Sequence, residues 1–132
     1  MKTLETFFSG RNEIALAYLF GSKAKGTQRP SSDTDIAVLL DTGLVPEHLL
    51  DYKLQMLRDL TGVLHSDDVD LVILNDAPPL LKFQVAKHGK LLYRAKNFSD
   101  VSFRARAFME YLDIKPMLDF FTKDAVRKIR GA

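Results

Sequence analysis

Cysteine is absent from this chain of 132 residues. No disulfide, thiolate zinc site or cysteine nucleophile is therefore available, which fits a reducing compartment. Long apolar runs are absent too. The longest, Ile14 to Phe20, is far too short to cross a bilayer. The opening stretch MKTLETFFSG carries Glu5 and lacks the apolar h-region of a signal peptide. The expectation is a soluble, cytoplasmic protein with no membrane partner. There is no Walker A loop and no G-x-G-x-x-G, which argues against P-loop and Rossmann modes of nucleotide binding. His48, His65 and His88 show no metal-ligand spacing and read as surface histidines. No repeat or low-complexity stretch interrupts the chain.

What is present belongs to a globular protein: 46% hydrophobic and 27% charged residues. The length suits one domain, 1–132, able to bury a core. The net charge of +2 is unevenly spread. Residues 94–132 hold nine Lys/Arg against five Asp/Glu, and residues 1–93 hold ten against twelve. A basic tail is most simply a solvated helix face, although an acidic or phosphate-rich partner would also suit it.

The periodicity predicts a short helix in Met1 to Asn12, with Leu4, Phe7 and Phe8 on one side. It predicts a buried strand from Ile14 to Phe20, closed by Gly21, and a second from Asp33 to Leu40. Pro30 marks a loop between them. Leu49, Leu50, Leu54 and Leu57 give helical spacing in Pro46 to Leu60, with Pro46 in the first turn and Gly62 as the stop. A third strand is expected at Asp68 to Leu74, a short helix at Pro79 to Lys87, and an edge strand at Lys90 to Tyr93. From about Asp100 the pattern is helical, with Pro116 as a kink or a joint between two helices. The fold class is α/β (α+β): a small mixed β-sheet with flanking helices and a C-terminal helical tail.

Three features of the sequence carry chemistry. Gly21-Ser22 follows a strand directly. A glycine lets an anion approach the backbone, and Ser22 adds a hydroxyl and an N–H that would open a short helix suited to phosphate. Most Gly-Ser pairs are plain turns. The second feature is Asp33-Thr34-Asp35, whose two carboxylates share one face of a strand while Thr34 faces away. Such neighbours repel unless a cation lies between them, and hard oxygens suit Mg²⁺ or Mn²⁺. An isolated DxD is often only a solvated strand end. Here the apolar run Ile36 to Leu40 follows at once, which places the acids at the edge of a buried strand. The third feature is Asp70, opening Leu71-Val72-Ile73-Leu74, with Asp68 as its rival on the same face and Asp67 in the loop before. Three carboxylates around two cations describe a two-metal site.

Gly21-Ser22, ten residues, then Asp33-x-Asp35 resembles the GSx10DxD signature of the nucleotidyltransferase superfamily that includes DNA polymerase beta. Gly26 and Ser32 also fall at the family's usual spacing. The size and order of elements resemble its smallest, MNT-type branch across residues 14–93. The resemblance implies a catalytic core at 1–95 and a variable helical tail at 96–132. It implies that Gly21 and Ser22 hold the triphosphate of ATP and that Asp33 and Asp35 are catalytic metal ligands. Asp70 would be the third ligand and a base for the acceptor hydroxyl, and two Mg²⁺ ions are expected. Thr34 stands where the family often has an apolar residue, and Lys23 matches its frequent basic residue.

MNT-type proteins are often antitoxins paired with a HEPN-domain ribonuclease toxin. The resemblance therefore implies transfer of AMP to a toxin tyrosine, and a protein partner rather than nucleic acid. The tail lacks the toxin's own Arg-x4-6-His motif. A small-molecule nucleotidyltransferase would share the chemistry but usually carries a larger second domain. A non-catalytic module that neutralises by occlusion has no need of three repelling acids. Phe103, Phe108, Tyr111, Phe120 and Phe121 crowd the tail, and those that the core does not cover would form a partner surface.

Overall fold

The structure is a computed structural model that describes residues 2–21, 34–44 and 46–130. Helix α1 spans Lys2–Ser9, strand β1 Ile14–Phe20, strand β2 Thr34–Leu40 and helix α2 Leu49–Leu64. Strand β3 spans Val69–Ile73, helix α3 Pro79–His88, strand β4 Lys90–Arg94 and helix α4 Asp100–Arg130. Among the described residues the strands form one sheet in the order β3-β2-β1-β4. β1 pairs antiparallel with both β2 and β4, while β2 and β3 run parallel. The parallel pair needs a crossover, and α2 supplies it.

Alternation along the strands builds two cores. Ile36, Val38 and Leu40 of β2 join Ile14, Leu19, Leu71 and Ile73 on one face, where α1 contributes Leu4 and Phe8 and α2 contributes Met56 and Leu60. Leu16 and Tyr18 of β1 and Ala37 of β2 face the other way, against Val85 and Ala86 of α3 and Phe103 and Ala107 of α4. The sheet is thus covered on both faces, and the β1 and β2 sequences are accordingly almost wholly apolar. At the far end of β2, Asn75 donates to the Leu40 carbonyl and accepts from its N–H, at 2.9 and 2.8 Å. Its amide group thereby stands in for a further residue pair of the ladder.

Three expectations need correction. α2 begins at Leu49, after Pro46, and runs through Gly62 to end at Leu64. The stop comes from His65, which takes the left-handed conformation (φ 52°, ψ 40°) while its N–H bonds the Thr61 carbonyl. The buried face of α2 also differs: Met56 and Leu60 point inward, whereas Leu50 and Leu54 are exposed. Pro116 does not divide the tail, because α4 is a single helix with Pro116 inside it. The expected turn of helix after Ser22 lies outside the described residues. None of the described helices is long and apolar enough to cross a membrane.

Candidate active site

The register of β2 against β3 sets Asp35 opposite Asp70. Residues opposed in a parallel pair project to the same side, and adjacent strands lie only ~4.8 Å apart. Asp35 shares its face with Ala37, and Asp70 shares its face with Val72, so both carboxylates look toward the α3/α4 side of the sheet. Asp70 is exposed and its Oδ1 accepts the Leu71 N–H at 2.9 Å. Thr34 turns to the opposite face, where it is buried, and its N–H donates to the Asp68 carbonyl at 2.7 Å. The threonine side chain thus lies on the face of β2 opposite to that of Asp35. Asp68 precedes β3 and does not oppose Asp35.

Gly21 closes the constellation. Phe20 is the cross-strand partner of Asp35, and Gly21 follows with φ +79°. A Cβ built there would overlap the Asp35 carboxylate. The glycine therefore serves the acid as much as any incoming anion, a steric reason the sequence did not reveal. The structure thus brings together Gly21, Asp35 and Asp70. Ser22 and Asp33 lie outside the described residues, as do Lys23, Lys25 and Arg29.

A polar hub braces the strand that delivers Gly21. The Tyr18 hydroxyl donates to Asp100 Oδ1 at 2.5 Å, across 82 residues of sequence. Arg104 donates to the same oxygen at 2.8 Å and to the carbonyls of Ala86 and Gly89 at 3.0 Å each. Its guanidinium also lies 5.0 Å from the centre of the Tyr18 ring. Burial and the hydrogen bond to Asp100 push the Tyr18 hydroxyl well above its ordinary range, so it stays a donor. For Asp100, burial pushes upward, but the hydrogen bonds from Tyr18 and Arg104 and the charge of Arg104 outweigh it, leaving a net lowering. Sequence reasoning missed this hub, because partners so distant in the chain leave no local pattern.

The acids suit a hard divalent cation. Two carboxylates on adjoining strands could supply oxygen ligands, and a cation between them would offset their repulsion. The described residues contain no group of three such ligands. The further acid expected from the sequence, Asp33, lies outside them. A cavity of about 420 Å³ lies at the other end of β2, among Leu39, Leu40, Asn75, Phe103 and Arg106. It is not part of the carboxylate site.

Two acids opposed across parallel strands, with a glycine turn folded against one of them, are the arrangement expected of the nucleotidyltransferase class. The chain belongs to the polymerase beta nucleotidyltransferase family, whose profile matches residues 2–98. It is similar to the protein adenylyltransferase MntA of Shewanella oneidensis, with 42% identity over 81 residues. That match covers 61% of this chain and 55% of the Shewanella protein, little more than half its length. MntA of Aphanizomenon flos-aquae is 31% identical over 108 residues, covering 77% of this chain and 71% of that protein. Among solved structures, a toxin–antitoxin complex with AMP-PNP superposes with a TM-score of 0.78 at 29% identity. The match covers 96% of this chain and 99% of that one. A complex of tri-AMPylated Shewanella oneidensis HEPN toxin with MNT antitoxin gives 0.72 at 26% identity, covering 95% and 94%.

Proposed function

We propose that this chain is a magnesium-dependent protein adenylyltransferase that transfers AMP from ATP to a tyrosine hydroxyl of a HEPN-domain toxin, and so acts as its antitoxin. The observation that carries the reading is the opposition of Asp35 and Asp70 beside Gly21. Similarity to two adenylyltransferases, and to complexes holding AMP-PNP or an AMPylated toxin, supports the choice of nucleotide and acceptor.

In this reading Gly21 and Ser22 cradle the triphosphate through backbone N–H groups and one hydroxyl. Asp33, Asp35 and Asp70 hold the metal, two ions in the fullest form. Bound magnesium would supply neutralisation of the triphosphate and stabilisation of the charge that develops at the transferred phosphorus. The tyrosine oxygen forms a bond to the α-phosphorus as the bond to the β-phosphate oxygen breaks, and pyrophosphate leaves. Asp70, the most exposed of the described acids at the site, accepts the hydroxyl proton. The added adenylate places charge and bulk beside the toxin's catalytic residues, which obstructs RNA.

The test is transfer of labelled AMP to a HEPN-domain toxin of the kind held in the similar Shewanella complex. Asp35→Ala and Asp33→Ala should each abolish labelling, because the lost ligand removes most of the charge stabilisation at phosphorus. Without metal both variants should melt at or above the parental temperature, since carboxylate repulsion is relieved. Labelling at the parental rate by either variant would refute the site. Neutralisation of the toxin by the Asp35→Ala protein would instead favour simple occlusion.

A further inference from the structure

Helix α3 crosses the sheet with two different flanks. It starts beyond the C-terminal end of β3 and delivers the chain to the start of β4, so it passes over β2 and β1. Val85 and Ala86 join Tyr18 and Ala37 in the core beneath it. One flank is taken by α4. Lys82 pairs with Glu110 at 2.9 Å, Phe83 stacks on Tyr111 at 4.0 Å, and the Ala86 carbonyl accepts from Arg104 at 3.0 Å. α4 in turn overlies the C-terminal end of β2, where Phe103, Ala107 and Glu110 line the cavity shared with Leu39 and Leu40. The other flank of α3 therefore faces the N-terminal ends of β2 and β3, where Asp35 and Asp70 stand. At 3.6 residues per turn, a helix that gives residues 82, 83 and 86 to α4 puts Leu81, Gln84 and His88 on that other flank.

His88 occupies the last turn. Gly89 lies directly against Tyr18, with a built Cβ 3.3 Å from the Tyr18 Cβ, and Lys90 pairs with Leu19. His88 is thus level with the end of β1, where Phe20 opposes Asp35 and gives way to Gly21. It reads from the sequence as a surface histidine, but it is half-buried. The C-terminal end of a helix ordinarily repels an anion, because its free carbonyls carry partial negative charge. Here Arg104 covers that end by donating to the carbonyls of Ala86 and Gly89 at 3.0 Å each. Lys87 and Lys90 add positive charge on either side of His88.

We propose that His88 is a nucleotide-binding residue, whose imidazole donates to a phosphate oxygen of the triphosphate, and that Gln84 lines the same wall one turn earlier. The proposal rests on the nucleotidyltransferase reading above and adds a second wall to its site. The Gly21 turn would hold the triphosphate from the sheet, and the flank of α3 would hold it from above. A neutral imidazole keeps one N–H, so the contact does not require a charged ring. A donor fixed on a packed helix needs no reorganisation as charge shifts toward the leaving pyrophosphate.

The probe is Mg-AMP-PNP, titrated calorimetrically into the full chain, with the melting temperature of the nucleotide-free protein recorded for each variant. His88→Ala should melt like the parent and bind roughly 10- to 150-fold more weakly, the worth of one hydrogen bond to a charged group. His88→Gln keeps a donor and should recover much of that loss. Gln84→Glu brings a negative charge to the wall without changing its shape, and should weaken binding at low salt more than at high salt. Gln55→Glu makes the same charge change on exposed α2, across the sheet, and should match the parent. Parental affinity in His88→Ala overturns the proposal. So does earlier melting of His88→Ala with no recovery in His88→Gln, because the role is then structural. Equal weakening by Gln84→Glu and Gln55→Glu overturns it too, since binding then senses only net charge. No binding of Mg-AMP-PNP by the parent removes both this wall and the nucleotidyltransferase reading. Weaker binding in the variants, with no AMP transfer by the parent to a HEPN-domain toxin, keeps the wall and removes the protein-acceptor reading instead. Undiminished transfer by His88→Ala, with the parent active, keeps that reading and removes the wall.

Discussion

At Gly21 the backbone takes φ +79°, and the volume a Cβ would fill is already held by the Asp35 carboxylate. Gly21→Ala should therefore carry two separable costs. The left-handed conformation costs an alanine ~1–2 kcal/mol wherever its side chain points. The overlap adds a displacement of Asp35, which would move a ligand of the proposed metal site. We expect Gly21→Ala to fold, to melt earlier and to lose nucleotide transfer nearly as completely as Asp35→Ala. A double-mutant cycle separates the terms. In the Asp35→Ala background the carboxylate overlap disappears and only the 3.3 Å approach to the Cβ of residue 35 remains, so Gly21→Ala should cost little beyond its backbone strain. Equal destabilisation in both backgrounds, measured by urea denaturation, would show that Asp35 and Gly21 do not compete for space. The sequence and its family resemblance pointed to Gly21, Asp35 and Asp70, with Asp68 left as a rival to the last. It could not show that the glycine and the acid constrain each other, because that depends on the pairing of Phe20 with Asp35.

Elements whose period is set by burial were legible in the sequence, and those set by a single backbone angle were not. β1 was expected at Ile14–Phe20 and stands there, because seven consecutive apolar residues, too few for a typical helix and closed by Gly21, suit a strand covered on both faces. β3 and α3 fall within a residue or two of expectation for the same reason. α2 overran its expected end because tertiary packing, through Leu60, Val63 and Leu64, outweighs the cost of one internal glycine. α4 likewise continues through Pro116, whose missing N–H costs one helical hydrogen bond in a stretch with little packing to disturb. These exceptions are useful levers. A Cβ at Gly62 would meet nothing within 4 Å, and the position is helical. Gly62→Ala should raise stability by ~0.4–1 kcal/mol by restricting the unfolded chain, with no change in nucleotide transfer. A lower melting temperature in this variant would mean that α2 needs flexibility at that turn.

In the molecule as a whole, the Tyr18–Asp100–Arg104 hub joins what the sequence keeps far apart. It ties the strand that ends at Gly21 to the start of α4, the turn between α3 and β4, and through them the tail. Gly89 belongs to the same junction, since a Cβ there would come within 2.5 Å of the Val85 carbonyl. Asp100 makes the junction acid-sensitive. Its carboxyl lies below its ordinary value of 3.8, with burial opposing and the bonds from Tyr18 and Arg104 prevailing. A group with a lowered folded pKa stabilises the protein above its unfolded pKa, and that contribution is lost as pH falls through the folded value. The hub should thus be fully effective at neutral pH and fade only below about pH 3.8. Asp100→Asn keeps the shape and removes the charge, and should cost ~1.5–3 kcal/mol at pH 7, the worth of hydrogen bonds to a charged group. Unfolding free energies of parent and variant should then converge as the pH is taken below 3.8 toward full protonation. Tyr18→Phe should narrow the acid dependence without abolishing it, because Arg104 still holds the carboxylate. Parallel stability curves for parent and Asp100→Asn, with a constant gap from pH 7 down to pH 2, would mean that acid acts elsewhere and that the hub is held by packing alone.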